Sequence, residues 1–129
     1  MFKLNRVHHI AIICSDYERS KRFYSETLGF TIVREVYRAE RKSYKLDPEV
    51  NGLYQIELFS FPDPPPRSSG PEAAGLRHLA FEVDNIEKAV YHLTEFDILT
   101  EPIRVDEHTG KRFTFFADPD GLPLELYEK

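Results

Sequence analysis

Four polar residues interrupt segments that are otherwise apolar and rich in β-branched and aromatic residues. They are His9 in VHHIAIIC, Glu57 in YQIELFSF, His78 in LRHLAFEV and Glu125 in LPLELYE. An ionised carboxylate placed among apolar neighbours is costly unless it is paired or bound to a metal. Two neutral imidazoles and two carboxylates form an N₂O₂ donor set. Such a set suits one divalent ion, Zn, Ni, Co, Mn or Fe(II), with positions left for water or a small-molecule substrate. The spacing is repeated: 57 − 9 is 48 residues and 125 − 78 is 47. Taken singly, each residue has a bland reading, as a satisfied histidine or as a glutamate on the wet face of a half-buried strand. Their recurrence at matching places makes a metal site the reading to test.

The segments around these residues repeat in layout, and a repeat sets the frame for every other assignment. Val7–Cys14 reads as a strand. Ser15 with Glu18 has capping-box spacing, and a helix is expected from Asp16 to Leu28, stopped by Gly29. Phe30–Tyr37, Arg41–Lys45 and Leu53–Phe61 read as strands, with turn-prone Asp47-Pro48 and Asn51-Gly52 between the last two. Residues 62–75 (PDPPPRSSGPEAAG) have the composition of a linker. The second half follows the same order. Leu76–Val83 is a strand, Asp84 with Glu87 starts a helix, and Ile86, Ala89, Val90 and Leu93 form its apolar stripe. Ile98–Val105, Arg112–Ala117 and Leu122–Tyr127 are strands, the last two joined by an Asp118-Pro119-Asp120-Gly121 turn. The fold class expected is α+β: two tandem βαβββ modules, at about 5–61 and 76–129, in one domain spanning 1–129.

Composition narrows the functions. A net charge of −5 with pI ≈ 5.5 argues against a nucleic-acid binder. No apolar run reaches the roughly 18 residues of a membrane span, and no signal peptide is read at the N-terminus. The single cysteine, Cys14, fits a reducing cytoplasm and reads as a small buried strand residue. Arg34, Arg38, Arg41, Lys42 and Lys45 form a basic cluster. It reads either as a solvated strand pair or as a holder for an anionic substrate group. His8 should point to the strand face opposite His9, whereas His92 on the helix and His108 in a turn read as surface residues.

These residues resemble the vicinal oxygen chelate superfamily, which includes glyoxalase I, methylmalonyl-CoA epimerase, extradiol dioxygenases and fosfomycin-inactivating thiol transferases. The resemblance spans nearly the whole chain. It rests on His9 with Ile10–Asp16, Ser20-Lys21-Arg22-Phe23-Tyr24, Leu28-Gly29-Phe30, Gly75–Phe81, and Asp118-Pro119-Asp120-Gly121 leading to Glu125. It implies paired modules that close a cupped, mixed sheet around one divalent metal ion, with His9, Glu57, His78 and Glu125 as ligands. Glutamate at the second ligand position is similar to bacterial glyoxalase I, which favours Zn or Ni.

The activity implied is that of a metal-dependent lyase or isomerase acting beside a carbonyl through an enediolate-type intermediate, with Glu125 or Glu57 moving the proton. Drug sequestration without metal, dioxygenase and thiol-transferase activities are the alternatives within the superfamily. A homodimer is implied by relatives of this length. Bacterial glyoxalase I carries arginine four residues after its first ligand and asparagine four after its second, but here these positions are Ile13 and Phe61. Glutathione would lose two polar partners there. Arg38, Lys42, Lys111 and Arg112 are the candidates for holding an anionic substrate instead.

Overall fold

The computed structural model describes residues 1–129 as two compact units, Met1–Pro66 and Arg67–Lys129. No helix is long and apolar enough to cross a membrane.

In the first unit, strand β1 (Ile10–Cys14) lies parallel to β5 (Ile56–Ser60), with Ala11 opposite Glu57. Between them in sequence come β2 (Thr31–Arg38), β3 (Ser43–Val50) and the two-residue β4 (Leu53–Tyr54). The sheet order is β1-β5-β3-β2, with β4 paired to β3. Alternation along the strands sorts the side chains into two faces. Ile12, Cys14, Leu46, Ile56 and Leu58 are buried on one of them with Tyr17, Phe23 and Tyr24. The other face carries Ala11 and Ile13 of β1, Lys45 and Asp47 of β3, and Glu57 and Phe59 of β5.

Helix α1 (Tyr17–Arg22) begins one residue later than the capping-box reading placed it. Asp16, in extended conformation, is the cap, and its carboxylate accepts from the Arg19 N–H at 3.2 Å. The helix does not run on to Leu28 as an α-helix. Phe23–Thr27 form a π turn, closed by Leu28 N–H to the Phe23 carbonyl at 3.0 Å. Phe23 and Tyr24 are adjacent in sequence and both buried, and their rings meet edge-on at 5.1 Å.

Asp47-Pro48, expected as a turn, lies inside β3. Pro48 sits opposite Ile32, where the β2 register shifts, which is where a strand tolerates the missing N–H. Asp47 is buried because Arg34 and Lys45 reach it at 2.7 and 2.6 Å. The turn falls at Asn51-Gly52, where φ is 50° and 79°, as a tight β3–β4 hairpin requires. Arg41, expected in a strand, belongs instead to a 3₁₀ turn at Ala39–Arg41, which Lys42 closes with φ 49°.

The second unit repeats the plan. Strand β6 (Leu79–Val83) is parallel to β9 (Pro123–Glu128), with Ala80 opposite Glu125, and the sheet order is β6-β9-β8-β7. Helix α2 (Ile86–Glu95) buries Ile86 and Leu93 and is capped by Asn85, not Asp84, through the Lys88 N–H at 2.9 Å. Strand β8 (Arg112–Ala117) falls where expected. The expected strand Ile98–Val105 shrinks to β7 (Arg104–Val105). Residues before it run beside β8 through isolated bonds, Glu101 N–H to the Phe115 carbonyl and Thr114 Oγ1 to the Glu101 carbonyl. Pro102 has no N–H with which to continue a ladder. The 118–121 turn is built on the buried Asp118, whose Oδ1 accepts from the Asp120 and Leu122 N–H groups, both at 2.9 Å.

Candidate metal and substrate site

Both histidines sit one residue ahead of their strands, not inside them as the sequence suggested. His9 precedes β1 and His78 precedes β6. Each lies two residues before the alanine that pairs with a glutamate, Ala11 with Glu57 and Ala80 with Glu125. A two-residue step keeps a side chain on the same face. The histidine therefore meets the glutamate across the parallel strand pair. His9 Nε2 is 3.6 Å from Glu57 Oε1, and His78 Nε2 is 3.5 Å from Glu125 Oε1.

These separations exceed the usual hydrogen-bond range for N–H···O of about 2.7–3.2 Å. They fit two ligands of one ion. Nitrogen and oxygen at about 2.1 Å from a tetrahedral centre stand about 3.4 Å apart. The donor chemistry and the spacing within each pair thus suit a divalent metal. Within either unit, no three His, Cys, Asp or Glu side chains gather around one point. Each unit holds one His–Glu pair.

The surroundings of the two glutamates differ. Glu57 is buried at 7% exposure, and its Oε2 accepts from the Tyr54 hydroxyl. Lys45 Nζ stands 3.7 Å from the same oxygen and is held at 2.6 Å by Asp47. Burial, followed by the bond to Glu57, pushes the Tyr54 hydroxyl pKa well up, so Tyr54 remains a donor. Burial by itself would raise the Asp47 pKa, but hydrogen bonds from Lys45 and Arg34 outweigh it and hold the carboxyl below its ordinary value. Glu125 has no such holders. Its one ionic neighbour is His78, and its side chain is 14% exposed.

The outer nitrogens of the histidines are also engaged. His9 Nδ1 lies 2.9 Å from His8 Nδ1. The two rings meet edge-on at 5.2 Å, so His8 is a neighbour of His9 and not a residue of the opposite face. The strand that would separate them begins only at Ile10. If His9 donates from Nδ1, its Nε2 lone pair is free for a metal. Arg77 Nη1 approaches His78 Nδ1 at 3.1 Å. Arginine only donates, so this contact favours the tautomer with the proton on Nε2. A metal on Nε2 requires Arg77 to turn away, and Arg77 is an exposed side chain paired with Glu72.

Of the anion-binding candidates, Arg112 lies on the α2 side of its sheet, paired with Glu87 at 2.7 Å and Glu128 at 2.9 Å. Lys42, which closes the 3₁₀ turn, and Lys111, directly before β8, are both exposed. Arg38 is half-buried and stacks on Phe59, 5.0 Å from its ring centre. Cys14 is buried on the helix-covered face, away from Glu57. In the second unit a cleft of about 590 Å³ is lined by Arg77, Arg104, Glu101 and Phe115, and the Phe115 ring meets His78 at 5.0 Å. Sequence reasoning missed Tyr54, Asp47 and Arg77. Arg77 alone left a signal, as the residue adjoining a candidate ligand.

Two units on a shared βαβββ plan, the first with the two-residue β4 added, each present a His–Glu pair on a mixed sheet and define an α+β protein. The family model described as "Glyoxalase/Bleomycin resistance protein/Dioxygenase superfamily" matches residues 6–126, and the chain belongs to that superfamily. Bacillus subtilis YwkD is 68% identical over 126 residues, covering 98% of each chain. The crystal structure of SMU.1112c superposes with a TM-score of 0.92 at 46% identity, over 98% of this chain and 100% of that one. The mitochondrial methylmalonyl-CoA epimerase of Bos taurus is 30% identical over 138 residues, covering 98% of this chain and 75% of the relative.

Proposed function

We propose that the chain is a metal-dependent isomerase or lyase that moves a proton beside a substrate carbonyl. In this reading His9, Glu57, His78 and Glu125 are the ligands of one divalent ion, with Zn or Ni favoured. The observation that carries it is the twice-repeated His–Glu pair, at 3.6 and 3.5 Å on equivalent registers. When bound, the ion supplies Lewis-acid polarisation of the carbonyl and offsets charge developing on neighbouring oxygens. The relative named an epimerase favours proton transfer over oxygen or thiol chemistry. Sequestration of a drug needs none of the four residues.

The environments of the glutamates suggest separate roles. Glu57, held by Tyr54 and close to Lys45, anchors. Glu125, free of such partners, is the base that takes a proton and returns it to the adjacent carbon. Ile13 is exposed on the His9 face and Phe61 stacks on Phe59, so neither offers glutathione a polar contact. The working form is proposed to be a cytoplasmic homodimer, which sedimentation at micromolar concentration checks.

The test is elemental analysis after dialysis against chelator and reconstitution. One tightly held divalent ion per site, lost in Glu57→Ala and His78→Ala, is expected. Failure of Zn, Ni, Co, Mn and Fe(II) alike to bind would remove the proposal. Glu125→Gln that keeps its metal and still turns over at full rate would show that Glu125 is not the base.

A further inference from the structure

We propose that Arg38 and Arg41, stacked on Phe59 and Phe61, form a subsite for an anionic group of the substrate, a phosphate or a carboxylate carried on an apolar body. The inference rests on the functional reading above only in naming the bound molecule as substrate. The two rings lie parallel, 6.2 Å apart with an interplanar angle of 6°. Arg38 sits 5.0 Å from the Phe59 centre and 6.0 Å from that of Phe61, and Arg41 5.2 Å from that of Phe61.

Other basic side chains of this sheet are committed. Arg34 is bound to Asp47, and Lys45 to Asp47 and Glu57. Neither Arg38 nor Arg41 makes an ion pair. The Arg38 guanidinium gives one bond, from Nη2 to Ser43 Oγ at 3.1 Å, and its buried Nε has no acceptor at all. A buried donor of a permanent cation without an acceptor is rare and unfavourable. Because that Nε is closed to solvent, an anion reaches it only when the Arg38 side chain shifts, and then meets the planar fork that matches carboxylate and phosphate.

The platform is also well placed. Phe59 follows Glu57 by two residues on the same face of β5, about 7 Å along the strand. A molecule whose anionic group is bound by the Arg38 guanidinium could therefore extend along β5 to Glu57. The phenylalanines replace charge-assisted contacts with a flat apolar surface, which selects for the body of the ligand while the arginines select for its charge.

The subsite is tested on the full chain after chelator dialysis, by following arginine Nε–H resonances during titration with phenyl phosphate, benzoate and neutral phenol. Saturable shifts of the Arg38 signal with phenyl phosphate, benzoate or both, and none with phenol, are expected. The stronger of the two anions identifies the substrate's group. Arg38→Gln should weaken that binding about tenfold. Arg19→Gln, on an exposed residue of α1, should leave it unchanged. If Arg38→Gln does not fold, Arg41→Gln, whose side chain is exposed, serves in its place.

Absence of saturable shifts with both anions overturns the proposal, as does a loss under about threefold in the tested variant. Because the titration needs no metal and no turnover, its failure leaves the metal reading standing. A chain that binds no metal can likewise still pass this test.

Discussion

Asp47 touches neither histidine nor any proposed ligand, yet Asp47→Asn should weaken metal binding. Asp47 draws Lys45 Nζ to 2.6 Å and so leaves it 3.7 Å from Glu57. Without the charge of Asp47, Lys45 turns to the carboxylate that remains. Closing from 3.7 Å to about 2.8 Å deepens the Lys45–Glu57 attraction from about 4.5 to about 5.9 kcal/mol at an effective dielectric of about 20. Side-chain exposures of 22% and 9% keep the pair away from full solvent screening. The difference, about 1.4 kcal/mol, is a tenfold loss of affinity for an ion that needs Glu57. Competition against a chelating dye, on protein shown to be folded, measures it. Lys45→Met added to Asp47→Asn should restore the affinity, because the competing cation is then gone. Asp47→Asn within about twofold of the parent would show that Lys45 does not compete for Glu57. So would a double variant as weak as Asp47→Asn alone.

Arg77→Ala removes a donor that favours the wrong tautomer of His78, so metal should bind about fivefold more tightly, worth about 1 kcal/mol for one exposed hydrogen bond. Weaker binding in the same dye competition would contradict the tautomer assignment. Tyr54→Phe strips Glu57 of its hydroxyl donor and should cost about 1–2 kcal/mol in urea unfolding. An unchanged midpoint would mean that the bond contributes nothing net. The Asp47 and Glu35 carboxyl pKa values lie below their ordinary values, Asp47 through Lys45 and Arg34 against the opposing effect of burial, and Glu35 through Lys21 and Tyr17. Their stabilisation is present above the unfolded pKa values of about 4 and is lost as pH falls through the lower folded values. Thermal melts should therefore show an acid limb below about pH 4 that Asp47→Asn flattens.

What could be read from the sequence is the part that backbone periodicity dictates. The His–Glu pairs were legible because a parallel strand pair fixes register, and equal spacing in two halves implies equal register. The caps were misplaced by one residue, since Ser15 and Asp16, and Asp84 and Asn85, are adjacent and equally able to accept a bond. Asp47-Pro48 looked like a turn on local chemistry. Arg34 and the bulge of the neighbouring β2, with Lys45 of the same strand, keep it extended. The π turn at Phe23–Thr27 leaves no compositional trace, since the burial of adjacent aromatic rings that accompanies it is a packing outcome. The Arg38 platform was half legible. The basic cluster was visible in sequence, but which of its members lacked acids depended on β3 pairing.

The repeat also explains why the two glutamates can differ while their backbones match. Around Glu57 stand Tyr54 three residues earlier, Lys45 opposite Phe59, and Asp47 two residues further along β3. The corresponding places in the second unit are Leu122, Phe113 opposite Tyr127, and Phe115 opposite Glu125. Every polar holder of the first half is an apolar residue in the second. Ala11 and Ala80 occupy equivalent places, opposite Glu57 and Glu125. Identical strand register therefore delivers two equivalent His–Glu pairs, and the side chains around them decide which carboxylate is held. A strictly symmetric repeat would place the same restraint on both glutamates. Here the restraint falls on Glu57 alone, and this difference is what the proposal of Glu125 as the base rests on.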